Sequence, residues 1–253
     1  MDISGKIAIV TGAGSGLGAE AAGYLKDRGA RVIGMDLNEE HLNSLEQAKG
    51  IPGIQCDVAE DSSIHLAFSG ILENYGLPEI LVNCAGIGTT GRIVGKDGPL
   101  PLDVFQKTIS VNLIGTYNMM RCFATEFIEA SKAGKVEEGV IINTASVAAF
   151  EGQVGQSAYA ASKGGIVSMT LPAAREFAQF GIRVMTIAPG LIKTPVLHGL
   201  SDEARASIEA NIPYPKRLGN ASEFAKLVGH IIENDYLNGE TIRLDGALRL
   251  KPK

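Results

Sequence analysis

The chain has 253 residues, a formal net charge of −5 and 45% hydrophobic residues. This length suits one α/β domain that buries roughly three quarters of its unfolded surface and needs no disulfide framework. The charge argues against the basic stripe of a nucleic-acid binder, and no apolar run reaches the ~20 residues that span a bilayer. Cys56, Cys84 and Cys122 are odd in number and lack a Cys-x-x-Cys spacing, and His41, His65, His198 and His230 share no ligand spacing. No metal site is expected. The segment Met1-Asp2-Ile3-Ser4-Gly5-Lys6 runs almost at once into an apolar stretch, so a signal peptide is not expected and a cytoplasmic protein is.

Short apolar runs then alternate with longer amphipathic stretches, the pattern of parallel strands joined by helices. In chain order the expected strands are Lys6–Val10, Arg31–Asp36, Ile54–Val58, Ile80–Asn83, Gly139–Thr144, Arg183–Ile187 and Thr241–Leu244. The expected helices lie near Leu17–Arg28, Glu39–Lys49, Ser62–Tyr75, Leu102–Ala130, Ser157–Phe180 and Ala221–Glu233. Several strands are apolar throughout, as a sheet covered on both faces requires. The expectation is a Rossmann-type doubly wound parallel sheet of about seven strands, with helices on both faces, in a single domain over 1–253. The Pro-rich stretch Pro189 to Gly219 has no clear strand and is read as a segment covering the substrate.

Behind the first strand comes Thr11-Gly12-Ala13-Gly14-Ser15-Gly16-Leu17-Gly18. Glycines at 12, 16 and 18 permit a tight strand-to-helix turn whose amides approach a pyrophosphate, with the helix N-terminus adding partial positive charge. The alternative is a tight turn without a ligand. Asp36 ends the second strand, where a carboxylate accepts hydrogen bonds from ribose hydroxyls and repels a 2′-phosphate. The alternative for Asp36 is a cap on the helix beginning near Asn38.

Further on, Ser146 follows an apolar strand, so its hydroxyl emerges at the sheet edge where open α/β folds place ligands. Tyr159 and Lys163 in Tyr-Ala-Ala-Ser-Lys share one helix face, with Cβ atoms roughly 5–6 Å apart. A free phenol titrates near ~10; the Lys163 ammonium together with the positive charge of an oxidised nicotinamide would favour phenolate, so Tyr159 is expected to act as a base whose pKa those two charges lower.

Taken with the glycine-rich turn, this Ser…Tyr-x-x-x-Lys order resembles the short-chain dehydrogenase/reductase family, over nearly the whole chain. The resemblance implies a catalytic set of Asn112, Ser146, Tyr159 and Lys163. It implies a cofactor site of Gly12, Ser15, Gly16, Leu17, Asp36, Asp57, Val58, Asn83, Ala85, Gly86, Tyr159, Lys163, Pro189, Gly190, Ile192 and Thr194. Within it, Asp57-Val58 would meet the adenine, Asn83-Cys84-Ala85-Gly86 would flank the ribose, and Ile192 and Thr194 would hold the carboxamide. Asn112 would hold a water that links Lys163 to solvent. Members that prefer NADP place Arg or Lys near the glycine turn or after the acidic position, where this chain has Ala13, Ser15 and Leu37, so NAD is the expected cofactor.

The stretches Gly139 to Gln156, Arg183–Thr194, Arg217-Leu218-Gly219 and Leu237 to Ala247 resemble the family's 3-hydroxyacyl-CoA dehydrogenases beyond the shared motifs. This implies a short or branched acyl-CoA as the small-molecule substrate, with no nucleic acid or membrane partner. Gln153 and Gln156 could bind the thioester carbonyl or line a turn. Arg92 and Lys96 could pair with CoA phosphates or be solvated loop charges. Leu191, Val196, Leu197, Leu200 and Ile208 could form an apolar lid or ordinary core. A hydroxysteroid or general secondary-alcohol dehydrogenase, and a non-catalytic NAD-binding interaction protein, are the other readings. By family analogy the chain is expected to form a homotetramer.

Overall fold

The computed structural model of the chain describes residues 1–96, 98–193 and 209–252. Its strands, in chain order, are β1 (Ile7–Thr11), β2 (Arg31–Asp36), β3 (Gly53–Gln55), β4 (Ile80–Asn83), β5 (Val94–Gly95), β6 (Gly98–Pro99), β7 (Gly139–Thr144), β8 (Ile182–Pro189) and β9 (Thr241–Leu244). The helices are α1 (Gly16–Asp27), α2 (Glu39–Lys49), α3 (Asp61–Asn74), α4 (Leu102–Ile109), α5 (Gly115–Lys132), α6 (Ala148–Glu151), α7 (Ser157–Phe177) and α8 (Ala221–Glu233).

Seven strands form one parallel sheet in the order β3-β2-β1-β4-β7-β8-β9. Every residue of the central strands β1, β4 and β7 is buried, whereas the edge strands β3 and β9 are partly exposed. Alternate strand residues serve opposite faces. Ala8, Val10, Ile80, Val82, Val140 and Ile142 pack with α1 and α8, through side chains such as Leu25, Phe224 and Val228. Ile7, Ile9, Leu81 and Ile141 pack with α3, α5 and α7, where Phe68, Phe123, Phe127 and Ala174 meet them. This is the expected doubly wound fold. No helix among the described residues is long and apolar enough to cross a membrane.

The strand order reverses between β1 and β4, which opens a crevice at their carboxyl ends. Thr11 keeps that edge in register: its Oγ1 accepts hydrogen bonds from the amides of Cys84 and Ala85, both at 3.1 Å. On the far side, the guanidinium of Arg183 donates to the carbonyls of Ile231, Ile232 and Leu237, satisfying orphan acceptors at the end of α8.

Some boundaries depart from the expected ones. The third strand stops at Gln55, because the amide of Asp57 turns to the Ser63 hydroxyl at 3.0 Å and leads the chain into α3. The long helix expected over Leu102–Ala130 is α4 and α5 joined by a π-helical turn, Ser110–Ile114. The helix expected over Ser157–Phe180 is α7 followed by a 3₁₀ turn, Ala178–Phe180. Four-residue α6 and the small β5–β6 ribbon were too short to be legible as periodicity.

Candidate active site

Lys163 lies on α7 with only 5% of its surface exposed, and its Nζ donates to the carbonyl oxygen of Thr144, the last residue of β7, at 2.7 Å. Its Nζ is also 5.8 Å from the centre of the Tyr159 ring, one helical turn earlier. Ser146, two residues beyond β7, accepts from the amide of Ala148 at 3.1 Å and lies near enough to the Tyr159 phenol to favour its ionised form. The three residues thus converge at the carboxyl edge of the sheet.

The chain's own electrostatics set the starting point for the phenol. Burial pushes Tyr159 above its ordinary value, and Ser146 opposes that rise. Burial likewise pulls the Lys163 ammonium down to about 8, and that group donates to the Thr144 carbonyl. Cys84 stands beside it, a half-buried residue whose thiol is pushed up to about 11 by desolvation.

Asn112 is fully buried in the π-helical turn. Its Oδ1 accepts from the amide of Ile87 at 2.8 Å, and its Nδ2 donates to the Ile87 carbonyl at 2.9 Å and to the Ser162 hydroxyl at 3.0 Å. A π turn inserts an extra residue into the helical repeat and re-aims a side chain, a device common at functional sites. A methyl group on Gly86 would stand 3.2 Å from Asn112 Oδ1, a tight contact, and 3.6 Å from Lys163 Nζ, an ordinary one, so this glycine borders both groups.

The glycine-rich turn closes tightly. Gly12 has φ +64°, and a Cβ at that position would meet the Ala85 amide nitrogen at 2.8 Å; a Cβ on Gly18 would collide with the Gly12 carbonyl. Ser15 starts α1 without a side-chain cap, and no acidic residue occupies the helix's first turn, beside Gly16 and Leu17. Uncapped amides and the positive end of a twelve-residue helix suit an anion, so these residues fit a dinucleotide pyrophosphate. Asp36 borders the same turn, its Oδ2 accepting from the Gly14 amide at 2.9 Å. It is not the cap of α2: Asn38 takes that place, accepting from the amide of His41 at 3.1 Å.

The remaining expected positions divide. Asp57 Oδ1 accepts from the Ala59 amide at 2.9 Å, and Val58 is buried beside Gly115. Ala85 lies across from Thr11. Asn83 does not reach the turn surface; its side chain is buried under the sheet and donates to Asn143 Oδ1 at 2.9 Å, while its own Oδ1 has no partner. Pro189 ends β8, Gly190 lies against Asp245, and Ile192 bridges to Gly219. Thr194, with Val196, Leu197, Leu200 and Ile208 of the expected lid, lies outside the described residues. Leu191 is there, packed beside Ile212, Leu218 and Leu248.

Gln153 and Gln156 lie in the turn before α7. Gln156 Oε1 accepts from the Gln153 amide at 3.0 Å, and Gln153 Nε2 donates to the Lys251 carbonyl at 2.9 Å. Arg92 and Lys96 are exposed, and the Gly91 amide beside Arg92 donates to the Gly155 carbonyl at 2.8 Å. Two contributors escaped sequence reasoning. Ser162, directly before Lys163, joins Asn112 to the Tyr159 carbonyl, and Thr144 receives the lysine proton. Their one signal was adjacency to a motif residue. The structure also gathers Asp61, His65 and Cys122, with ligand-type atoms within 4.8 Å of one another, but the Arg121 guanidinium already pairs with Asp61.

A family model described as short chain dehydrogenase matches residues 6–205. The chain is 46% identical to 3-hydroxyacyl-CoA dehydrogenase type-2 of Bos taurus and 45% identical to that of Homo sapiens, in each case over 99% of this chain and 97% of the relative. It is also similar to the crystal structure of 3-hydroxyacyl-CoA dehydrogenase type-2 from Mycobacterium avium, with TM-score 0.90, 40% identity and 98% of each chain covered.

Proposed function

Because the chain belongs to the short chain dehydrogenase family and is an oxidoreductase, we propose that it interconverts a short or branched 3-hydroxyacyl-CoA and the 3-ketoacyl-CoA with NAD. The observation that carries the chemistry is the convergence of Ser146, Tyr159 and Lys163 at the sheet edge beside the glycine-rich turn. The acyl-CoA substrate is supported by the names of relatives that share nearly half of all residues over the full chain.

In this reading Gly12, Ser15, Gly16 and Leu17 receive the pyrophosphate, Asp36 the adenosine ribose, and Asp57 and Val58 the adenine. Ala85, Gly86, Pro189, Gly190, Ile192 and Thr194 border the rest of the dinucleotide, with Asn83 supporting the sheet beneath them. Bound NAD would supply the hydride acceptor for the carbon that bears the hydroxyl. Tyr159 takes the hydroxyl proton at its phenolic oxygen, and Ser146 donates a hydrogen bond to the reacting oxygen. Lys163 holds the nicotinamide ribose while its backbone-bonded ammonium stays on the Thr144 carbonyl. Asn112, fixed by Ile87 and Ser162, connects the lysine to solvent through the space left by Gly86. Since the chain's own groups leave Tyr159 raised, lowering of its pKa falls to the charge of the oxidised cofactor.

Two further assignments complete the proposal. A homotetramer is supported by the apolar groove between α5 and α7, lined by Tyr117, Met120, Ala124, Met169 and Phe177. A reducing, cytoplasmic setting is supported by the free thiols Cys56, Cys84 and Cys122. The deciding experiment is a steady-state comparison, with NAD, of a short 3-hydroxyacyl-CoA, a 17β-hydroxysteroid and a simple secondary alcohol. The thioester is expected to lead the steroid in kcat/KM by at least about tenfold, or ~1.4 kcal/mol. Equal or better steroid turnover overturns the acyl-CoA assignment.

A further inference from the structure

The segment joining Ser146 to Tyr159 is held from outside by the chain's last residues. Arg243 on β9 forks onto Glu151, the end of α6, with Nη1 to Oε1 at 2.8 Å and Nη2 to Oε2 at 2.9 Å. Its Nε donates to Asp245 Oδ2 at 2.7 Å, and its guanidinium lies 5.1 Å over the ring of Phe150. Arg249 joins the same two carboxylates, at 3.3 Å from Glu151 and 3.1 Å from Asp245. Beyond it, the carbonyls of Lys251 and Pro252 accept from Gln153 Nε2 at 2.9 Å and from the Val154 amide at 3.0 Å.

We propose that residues 249–252 clamp the 151–156 segment, and that Arg243 and Glu151 are positioning residues that set the substrate side of the site. An exposed ion pair does little, but this one is bidentate and its members are mostly buried, with side chains 22% and 24% exposed. The two arginines and two carboxylates neutralise one another, so the cluster is built to hold shape rather than to take up an anion. The clamped segment needs holding: Gly152 and Gly155 flank its turn, the latter at φ +91°, and glycine leaves the backbone many alternatives. Ser146 opens this segment and Tyr159 lies just past its end, so the segment borders the substrate between them, and loosening it adds an ordering cost to substrate binding.

The kinetic part rests on the proposed oxidoreductase reading; the structural part does not. The test compares the full chain with one ending at Leu250 and with Arg243→Gln and Arg243→Lys. Leu248 and Leu250, which pack on Ile212 and Leu218, are kept in all of them. In the shortened chain, hydrogen exchange at Val154 and across 151–156 is expected to accelerate at least about tenfold. KM for a short 3-hydroxyacyl-CoA is expected to rise at least about fivefold in the shortened chain and in Arg243→Gln, with an intermediate rise in Arg243→Lys. The Kd for NADH and kcat should stay within about threefold. Unchanged exchange refutes the clamp whatever the substrate proves to be. Accelerated exchange with an unchanged KM, or a parallel loss of NADH binding, refutes the positioning role. A wild-type enzyme inert toward every 3-hydroxyacyl-CoA defeats the substrate assignment instead, and exchange still decides the clamp.

Discussion

Lys163 Nζ donates to the Thr144 carbonyl at 2.7 Å, so the helix that carries the motif is tied to the end of the strand that leads to Ser146. This bond places a buried cation at the meeting point of β7 and α7. It also leaves a measurable trace in stability.

The free lysine titrates at 10.5 and Lys163 at about 8, with burial as the leading cause. Between these pH values the unfolded chain holds the extra proton, so stability rises with pH across that window. Below pH 8 the burial cost is fully present, on the order of 3 kcal/mol, and it is gone above ~10.5. Urea unfolding at pH 7 and pH 9.5 should therefore show wild type gaining about 2 kcal/mol relative to Lys163→Met over that interval. Parallel pH dependences for the two proteins would contradict the buried ammonium.

Tyr159→Phe should lower turnover by about 10²–10⁴-fold while NADH binding, followed by fluorescence, survives. The phenol moves a proton but no part of the glycine-rich turn depends on it. Because burial raises this phenol and the charge of the oxidised cofactor opposes that rise, kcat/KM for alcohol oxidation at saturating NAD should still climb through neutrality. A profile already flat below pH 7 would place the base elsewhere.

Cofactor choice turns on Asp36 and on Leu37, which is 62% exposed and offers no cation. NAD should be preferred strongly over NADP. Asp36→Ala with Leu37→Arg should narrow or reverse that preference by removing a repulsion and adding a phosphate partner. Since Asp36 also holds the Gly14 amide, the double variant should show a higher KM for NAD as well. Equal efficiency of the two cofactors in the unaltered protein would refute the assignment.

For assembly, Ala124 on α5 and Ala173 on α7 line the apolar groove between those helices. Ala173→Arg places a charge there and should reduce a tetramer to smaller species in light scattering at micromolar concentration. Wild type that is monomeric under those conditions removes the proposal altogether.

The glycine-rich turn, Asp36 and the Tyr159–Lys163 pair were legible because each depends on neighbours a few residues away. A strand, a tight turn and a helix start are local events, and four residues make one helical turn. Asn112 was placed by resemblance alone, since the apolar pattern runs unbroken from Leu102 to Ala130 across the π turn that aims it. The partners of Gln153 and Gln156 were not legible: Gln156 Oε1 is held in their own turn, and Gln153 Nε2 reaches Lys251, a residue far away in sequence.

The amino-acid sequence by itself determined the alternation of strands and helices, the faces they bury and the order in which the chemical groups appear. These follow from periodicity and from backbone preferences that act over a few residues. Only the tertiary structure decided that Lys163 faces Thr144, that Asn83 pairs with Asn143 beneath the sheet, and that the C-terminal residues lie across the segment before Tyr159. It also decided that burial raises the Tyr159 phenol in the chain without cofactor. Hydrogen-bond partners distant in the chain and the loss of water around a charge exist only once the layers have packed, and no spacing in the sequence records them.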